Sequence, residues 1–305
     1  MNSLAKVFAI TVNWKRCDDT LACLDSLTKC GVEVQTVVVD NGSGDGSVER
    51  IRSVFPNAHV IANERNEGYA KAANQGVIRA LDQGATHILL INNDAEGDAS
   101  FLKAMMDGFD RHPNAGVLGC KIFYHGTDVI WYAGGNFNEW LGYTTHPGMD
   151  LPDDGSKDDR VTGFVTGCVM LVKAEVFRKI GLFDETMGMY SEDLDLCLRA
   201  KRSGYQSWYV PGAVARHKVS MSGGEGGSNR MTPFRSYYYS RNLLLAVAKN
   251  QRGLKLATCF YSQAFLLMPY YFFRIRLERS KGSFRRYLAG FLSGLRIMVG
   301  ERSDG

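Results

Sequence analysis

The chain predicts an α/β fold, a mostly parallel central sheet flanked by helices, on three observations. Residues 6–12 form a β-rich apolar run, residues 18–30 carry Leu21, Leu24 and Leu27 at the spacing of one helical face, and residues 34–39 return to strand. Strand, helix and strand with short joins is how a parallel βαβ unit begins. Residues 88–91 are Ile-Leu-Leu-Ile with no polar alternation, which reads as a strand buried on both faces. The run stops at Asn92-Asn93-Asp94 and aims Asn92 and Asp94 out of the carboxyl end of the sheet, where open α/β sheets bind ligands.

Composition bounds the class. At 305 residues and 45% hydrophobic the chain can bury a full core, as one large domain or two small ones, and neither a disordered nor a fibrous class fits. Seven cysteines, odd in number and with no C-x-x-C pair, argue against a disulfide framework or a zinc site and for a reduced, cytosolic setting. Residues 1–6 lead straight into strand-like residues without a basic-then-apolar export signal, so no secretion is expected. The net charge of +4 conceals an asymmetry: residues 230–305 hold 14 Lys/Arg against three Asp/Glu, while residues 1–229 hold 22 against 29. An acidic body with a basic tail implies that the tail meets something anionic, a membrane surface or nucleic acid. No stretch reaches the roughly 20 apolar residues of a spanning helix.

Taken in order, the second strand ends in a glycine-rich loop, residues 40–47. A dinucleotide fingerprint there would need glycine at position 47, where Ser47 stands, and the loop follows the second strand rather than the first. Asp40 at the strand end suits accepting hydrogen bonds from a base or sugar. A helix over 48–54, a short strand over 59–62 and a turn over 63–70 lead to an Ala-rich helix over 70–81. Ala72, Ala73 and Gly76 let that helix lie close to its neighbour, and Asn74 within it needs a buried partner. Hard oxygen ligands at 92–94 suit Mg²⁺ or Mn²⁺ carrying a diphosphate; the plainer reading is a polar turn capping a helix near Asp98.

Further on, a helix over 101–109 and a strand over 116–123 precede an aromatic, glycine-rich stretch over 128–148. Its Trp131, Tyr132, Trp140 and Tyr143 either stack on sugar faces or pack on their own domain. Residues 151–160 read as a mobile acidic loop, and 161–172 as strand, with Gly163 and Gly167 allowing close backbone approach. Glu192 and Asp193 fall in the first turn of a helix, where the dipole favours carboxylates and where a general base could equally stand. Arg199 is one turn from Asp195. A short strand over 208–210 and residues 211–222 carry His217 toward a glycine-rich loop, 223–228, that could cover a ligand. Residues 236–249 read as helix. Residues 259–273 are apolar but interrupted by Gln263 and Pro269, and are followed by Arg274, Arg276, Arg279, Lys281, Arg285 and Arg286. That pattern describes a segment lying in a membrane interface, or else a buried helix pair with a solvated basic face. No nucleic-acid motif accompanies the basic residues, so no nucleic-acid partner is expected.

Six motifs occur in order: VVVDNGSGDGS at 37–47, NEGYAKAANQG at 66–76, LLINNDAE at 89–96, TGCVMLVKAEVFRKIGLFDE at 166–185, EDLDLCLRA at 192–200 and RH at 216–217. The set resembles the family 2 glycosyltransferases of GT-A fold, in particular the rhamnosyltransferase-like branch that builds bacterial surface polysaccharide, over about residues 7–245. The resemblance implies a GT-A catalytic domain over 1–229, with a nucleotide-sugar half to about 125 and an acceptor half beyond it, and a helical basic extension over 230–305. It implies inverting transfer of a sugar from a nucleotide-diphosphate donor, dTDP-rhamnose favoured and a UDP-hexose possible, to a saccharide or lipid-linked saccharide. Thr11 and Asp40 would contact the base. Asn66, Gly68 and Asn74 would lie along the nucleoside and sugar, with Asn92 and Asn93 also on the donor side. Asp94 occupies the second acidic position of the D-x-D pattern, whose first position is Asn92 here, and with His217 would hold a divalent metal, Mg²⁺ or Mn²⁺. Asp193, beside Glu192, would be the catalytic base. The implied setting is the cytoplasm at the inner face of the plasma membrane, with the basic tail as a peripheral contact. Two alternatives differ in sequence. A non-catalytic nucleotide-sugar-binding protein would need Asp40 and Asp94 but not Asp193. A nucleotidyltransferase would begin with a glycine-rich phosphate loop, which Thr11-Val12-Asn13-Trp14 is not.

Overall fold

The computed structural model describes residues 5–219 and 230–303. In chain order its elements are β1 (Val7–Asn13), α1 (Cys17–Thr28), β2 (Val34–Asp40), α2 (Ser47–Val54), β3 (His59–Ala62), α3 (Tyr69–Asp82), β4 (His87–Ile91), β5 (Ala95–Gly97), α4 (Phe101–Arg111) and β6 (Ala115–Tyr124). There follow β7 (Ile130–Tyr132), β8 (Asn136–Asn138), β9 (Tyr143–Thr145), β10 (Arg160–Thr162), β11 (Val169–Lys173), α5 (Ala174–Ile180), α6 (Glu192–Arg202) and β12 (Gln206–His217). Four helices complete the chain: α7 (Pro233–Asn250), α8 (Gly253–Ser262), α9 (Met268–Leu277) and α10 (Ser283–Ser303).

The sheet runs β10-β12-β6-β11-β4-β1-β2-β3. β3, β2, β1 and β4 are mutually parallel, and so are β6 and β12; β11 joins the two blocks antiparallel to both neighbours. Ile88, Leu89, Leu90 and Ile91 are all buried, alternating between two hydrophobic clusters on opposite faces of the sheet. That is the outcome expected of an aliphatic strand with no polar face. α3 lies close against β1, as its small residues imply: a Cβ added to Gly76 would sit 2.4 Å from Ile10 Cγ2.

Four sequence expectations change. Residues 161–172 are not one strand, because β10 ends at Thr162 and the chain turns through 163–168 before β11 begins. The segments 208–210 and 211–217 are instead one strand, β12, whose register shifts between Val210 and Val214 and so accommodates Pro211. The aromatic stretch contains β7 and the β8–β9 hairpin. The acidic loop is pinned: buried Lys121 pairs with Asp153 at 2.7 Å, and Asp159 with Arg111 and His112, each at 2.8 Å. The glycine-rich loop 223–228 lies outside the described residues.

The charge change at residue 230 does not separate α7 from the core. Leu243, Leu244, Leu245 and Ala246 are buried in the cluster that also holds the inner faces of α3 and α6. α10 crosses α7 so closely that a Cβ on Gly290 would fall 2.1 Å from the Tyr237 carbonyl oxygen. α8 and α9 are joined by a π-turn over Gln263–Leu267, and this arm is apolar on its outer side. Leu254, Tyr261, Phe265, Tyr270, Phe273 and Leu277 are each 55% to 84% exposed. Gln263, which interrupts the apolar run in sequence, faces inward and donates Nε2 to the Gly142 carbonyl at 2.7 Å. Among the described residues, no helix is long and apolar enough to cross a membrane.

Candidate donor and transfer site

Parallel pairing brings Asn13 and Asp40 into register as the last residues of β1 and β2. Their side chains begin a buried polar line across the carboxyl ends of the strands. Asn13 Nδ2 donates to Asp40 Oδ2 at 2.6 Å, and Thr20 Oγ1 donates to Asn13 Oδ1 at 2.7 Å. Asn93 Nδ2, beyond β4, donates to Thr20 Oγ1 at 3.1 Å. Asp40 also accepts the Ser43 backbone N–H at 3.0 Å and the Ser43 hydroxyl at 2.6 Å. A carboxylate fixed by that many donors presents its remaining acceptor capacity in one orientation.

Thr11 does not share this edge. It is 2% exposed and its hydroxyl, which lies against Cys23, is buried without a conventional hydrogen bond. Side chains alternate along a strand, so Thr11 packs toward α1 beneath Asn13. Asn74 is likewise engaged by protein. Its Nδ2 donates to the Phe183 carbonyl at 2.9 Å and to Glu185 at 3.1 Å, while its Oδ1 accepts the Phe183 N–H at 3.0 Å. The amide that needed a partner finds it in the loop before α6. Asn66 and Gly68 stand at the start of α3: Asn66 Oδ1 accepts from Gly68 N–H at 2.9 Å and from Asn41 Nδ2 at 3.0 Å. Gly42, with φ +75°, lets the loop after β2 pass Arg65 so tightly that a Cβ would meet its carbonyl carbon at 2.4 Å.

Asp94 and His217 are separated by 123 residues, yet antiparallel pairing of β5 with β12 sets them side by side. Both are buried, and His217 Nε2 lies 3.1 Å from Asp94 Oδ1. The Trp131 ring meets the imidazole edge-on at a centroid distance of 4.4 Å, and His217 Nδ1 is buried with no hydrogen-bond partner among the described residues. Among the described residues, no group of three or more His, Cys, Asp or Glu is placed to hold a metal. The donor set is thus one carboxylate and one imidazole. It fits a divalent cation that draws its other ligands from diphosphate oxygens and water, the usual manner for Mg²⁺.

Glu192 and Asp193 open α6 as expected, after Tyr190 and Ser191 in left-handed conformation. Asp193 Oδ2 accepts the Gly167 N–H at 2.9 Å and its Oδ1 the Leu194 N–H at 2.7 Å. Glu192 is buried and its Oε2 has no hydrogen-bond partner among the described residues. Burial, followed by the charge of Asp193, pushes the Glu192 carboxyl up to about 8, so it is protonated at neutral pH. Burial also raises Asp193, but the N–H groups of Gly167 and Leu194 oppose the rise. Of the two carboxyls, Asp193 is the one with backbone donors that favour its charged form. Its place relative to Asp94 is set by one turn: Gly167 N–H holds Asp193, and the next carbonyl, that of Cys168, accepts the Asn92 N–H at 2.8 Å. The expected Asp195–Arg199 pair forms at 2.6 Å and braces the helix.

The sequence did not single out Asn13, Thr20 and Asn41, whose side chains join the polar line and the loops around Asp40. Asn13 was open to discovery, because equal-length parallel strands put it beside Asp40.

A sheet with this strand order, with Asp40 and Asp94 at its carboxyl edge and a carboxylate pair across a glycine turn, is that of a glycosyltransferase of GT-A fold. Solved structures agree on the fold: a mannosyltransferase of Pyrobaculum calidifontis, solved with GDP-mannose and Mn²⁺, superposes with TM-score 0.61 over 96% of this chain and 88% of that one at 15% identity. The chain belongs to glycosyl transferase family 2, whose model matches residues 9–181. Within that family its relatives include rhamnosyltransferases. It is 28% identical to an N-acetylglucosaminyl-diphospho-decaprenol L-rhamnosyltransferase of Mycobacterium tuberculosis over 241 residues, 72% of this chain and 77% of that protein. It is 27% identical to a dTDP-rhamnosyl transferase of Shigella flexneri over 225 residues, 72% and 73% of the respective chains.

Proposed function

We propose that this glycosyltransferase moves L-rhamnose from dTDP-rhamnose, with inversion, to a hydroxyl of a lipid-linked saccharide during surface-polysaccharide synthesis. The observation that supports transfer over mere binding is the turn at 166–168, whose backbone holds Asp193 at Gly167 and the Asn92–Asp94 segment at Cys168. A protein that only binds a nucleotide sugar has no need of a carboxylate pair fixed at this turn. The donor is supported by similarity to the dTDP-rhamnosyl transferase and the lipid-linked acceptor by similarity to the diphospho-decaprenol L-rhamnosyltransferase, each over most of both chains.

In this reading Asp40, held by Asn13 and Ser43, accepts the imino N–H of the pyrimidine, and Asn66 and Gly68 border the nucleoside. Asn92 and Asn93 line the donor side at the end of β4. Thr11 and Asn74 serve as supports, Thr11 under the edge and Asn74 through the loop it clamps. Asp94 and His217 hold the divalent cation, Mg²⁺ or Mn²⁺, which when bound supplies positive charge to the departing diphosphate. Asp193 takes the proton of the acceptor hydroxyl as its oxygen bonds to the anomeric carbon and the bond to the diphosphate oxygen breaks. Glu192 stays neutral beside it, so no second anion repels the donor. The exposed apolar face of α8 and α9, with Arg276, Arg279 and Lys281 at its end, lies on the membrane that carries the acceptor, at the cytoplasmic face.

A thermal-shift screen of dTDP-rhamnose, UDP-glucose, UDP-galactose, UDP-N-acetylglucosamine and GDP-mannose, with and without Mn²⁺, tests the donor. A metal-dependent shift with dTDP-rhamnose alone supports the reading. A shift only with a UDP-hexose replaces the donor, and binding without turnover on any acceptor favours a binding protein.

A further inference from the structure

Between the donor-side loop and the carboxylate pair runs a connector, residues 186–191, whose conformation is imposed from outside. Gly188, Tyr190 and Ser191 have φ of +69°, +69° and +68°. Two successive non-glycine residues in the left-handed region persist only where their surroundings over-determine them. The surroundings here are α7. Asn242, fully buried, places Nδ2 2.7 Å from the Met187 carbonyl, 2.7 Å from that of Met189 and 2.9 Å from that of Tyr190. Three acceptors converge on an amide with two hydrogens. Asn242 Oδ1 accepts from Arg241 Nη1 at 2.8 Å, and Arg241 Nη2 donates to the Thr186 carbonyl at 2.7 Å. On the other side, the Gly188 carbonyl accepts the Ala70 N–H at 2.9 Å, tying the connector to the first turn of α3 beside Gly68. Glu192 and Asp193 follow at once.

We propose that Asn242, assisted by Arg241, is a positioning residue for sugar transfer. By holding the carbonyls of Met187, Met189 and Tyr190 it fixes the left-handed pair Tyr190–Ser191, and with it the angle at which Asp193 meets the acceptor hydroxyl relative to the donor. The residue touches no substrate and acts through backbone alone. It lies beyond residues 9–181, so the family match does not reach it. The inference rests on the proposed transfer reaction.

The test is kinetic, on the full chain, with dTDP-rhamnose and a short-chain polyprenyl-diphospho-N-acetylglucosamine as substrates. Asn242→Asp keeps the shape, removes both N–H donors and sets an anion against three carbonyls. Arg241→Met alters a half-buried neighbour and provides the same readout should Asn242→Asp fail to fold. Misplacing a reacting group by about 1 Å costs on the order of 10²-fold, so kcat should fall about 10- to 100-fold in Asn242→Asp and less in Arg241→Met. Donor KM should stay within about twofold, and the acid limb of the kcat–pH profile should move, because the Asp193–Gly167 hydrogen bond depends on the connector. An unchanged kcat, or a loss that tracks the folded fraction with the pH profile in place, overturns the proposal and leaves Asn242 a packing residue. Wild-type turnover tests the reaction itself. The variant-to-wild-type ratio tests the clamp, with whichever nucleotide sugar the wild type uses.

Discussion

Replacing Glu192 by glutamine should make the protein more stable, by an amount that grows with pH. The Glu192 carboxyl ordinarily titrates at 4.5 and is pushed to about 8 by burial and by Asp193. Below 4.5 both folded and unfolded chains carry the proton, and the residue costs nothing. Between 4.5 and 8 the unfolded chain ionises while the folded chain cannot, so stability falls as pH rises, by about 1.4 kcal/mol per pH unit. At pH 7 the accumulated cost is about 3 kcal/mol, and above 8 it levels off near 5 kcal/mol. Glutamine has the same shape and no charge, so Glu192→Gln should recover most of that, raising the thermal midpoint by roughly 5 °C at pH 7 and by almost nothing at pH 4.5. Differential scanning calorimetry across pH 4.5 to 8.5 reads the difference directly. A midpoint difference independent of pH, or a glutamine variant that is less stable at pH 7, would refute the claim that this carboxyl is held neutral.

Other expectations follow from the same geometry. Asp94→Ala should abolish the Mn²⁺-dependent part of donor binding in calorimetric titration and leave any metal-independent part in place. Gly42→Ala should lower stability by about 1–3 kcal/mol, because φ is +75° and the new Cβ would meet the Arg65 backbone; a denaturant melt would reveal it. The double change Phe265→Ser, Phe273→Ser should leave the thermal midpoint within about 1 °C, since both rings are exposed, yet weaken co-sedimentation with vesicles of anionic lipid. Equal sedimentation by variant and wild type would remove that arm from the membrane contact.

Much of the fold could be read from periodicity because the informative segments are long and one-sided. Ile88–Ile91 is apolar throughout, and the Leu21, Leu24, Leu27 stripe repeats at helical spacing. The errors fell where tertiary pairing overrides local pattern. Pro211 and Gly212 look like a strand end, but a bulge carries β12 through them, and Gly163–Cys168 looks like strand but turns to hold Asp193 and Asn92. At the site, positions set by a strand end or helix start were legible: Asp40 does end β2, Asp94 does follow β4, and Glu192 and Asp193 do open α6. Thr11 and Asn74 were placed on the donor side by resemblance; what the sequence did not show is that Thr11 is buried and that Asn74 bonds the 183–185 loop. Asn242 left no signal, since nothing in the sequence tells that a core asparagine 49 residues beyond Asp193 will face the connector before it.

The most direct test of the central claim is turnover and donor binding by Asp193→Asn, measured side by side. If Asp193 is the base, donor affinity by calorimetry stays within about twofold of wild type while turnover falls about 10²- to 10⁴-fold. Near-normal turnover with intact donor binding would contradict the account and move the proton transfer to another group.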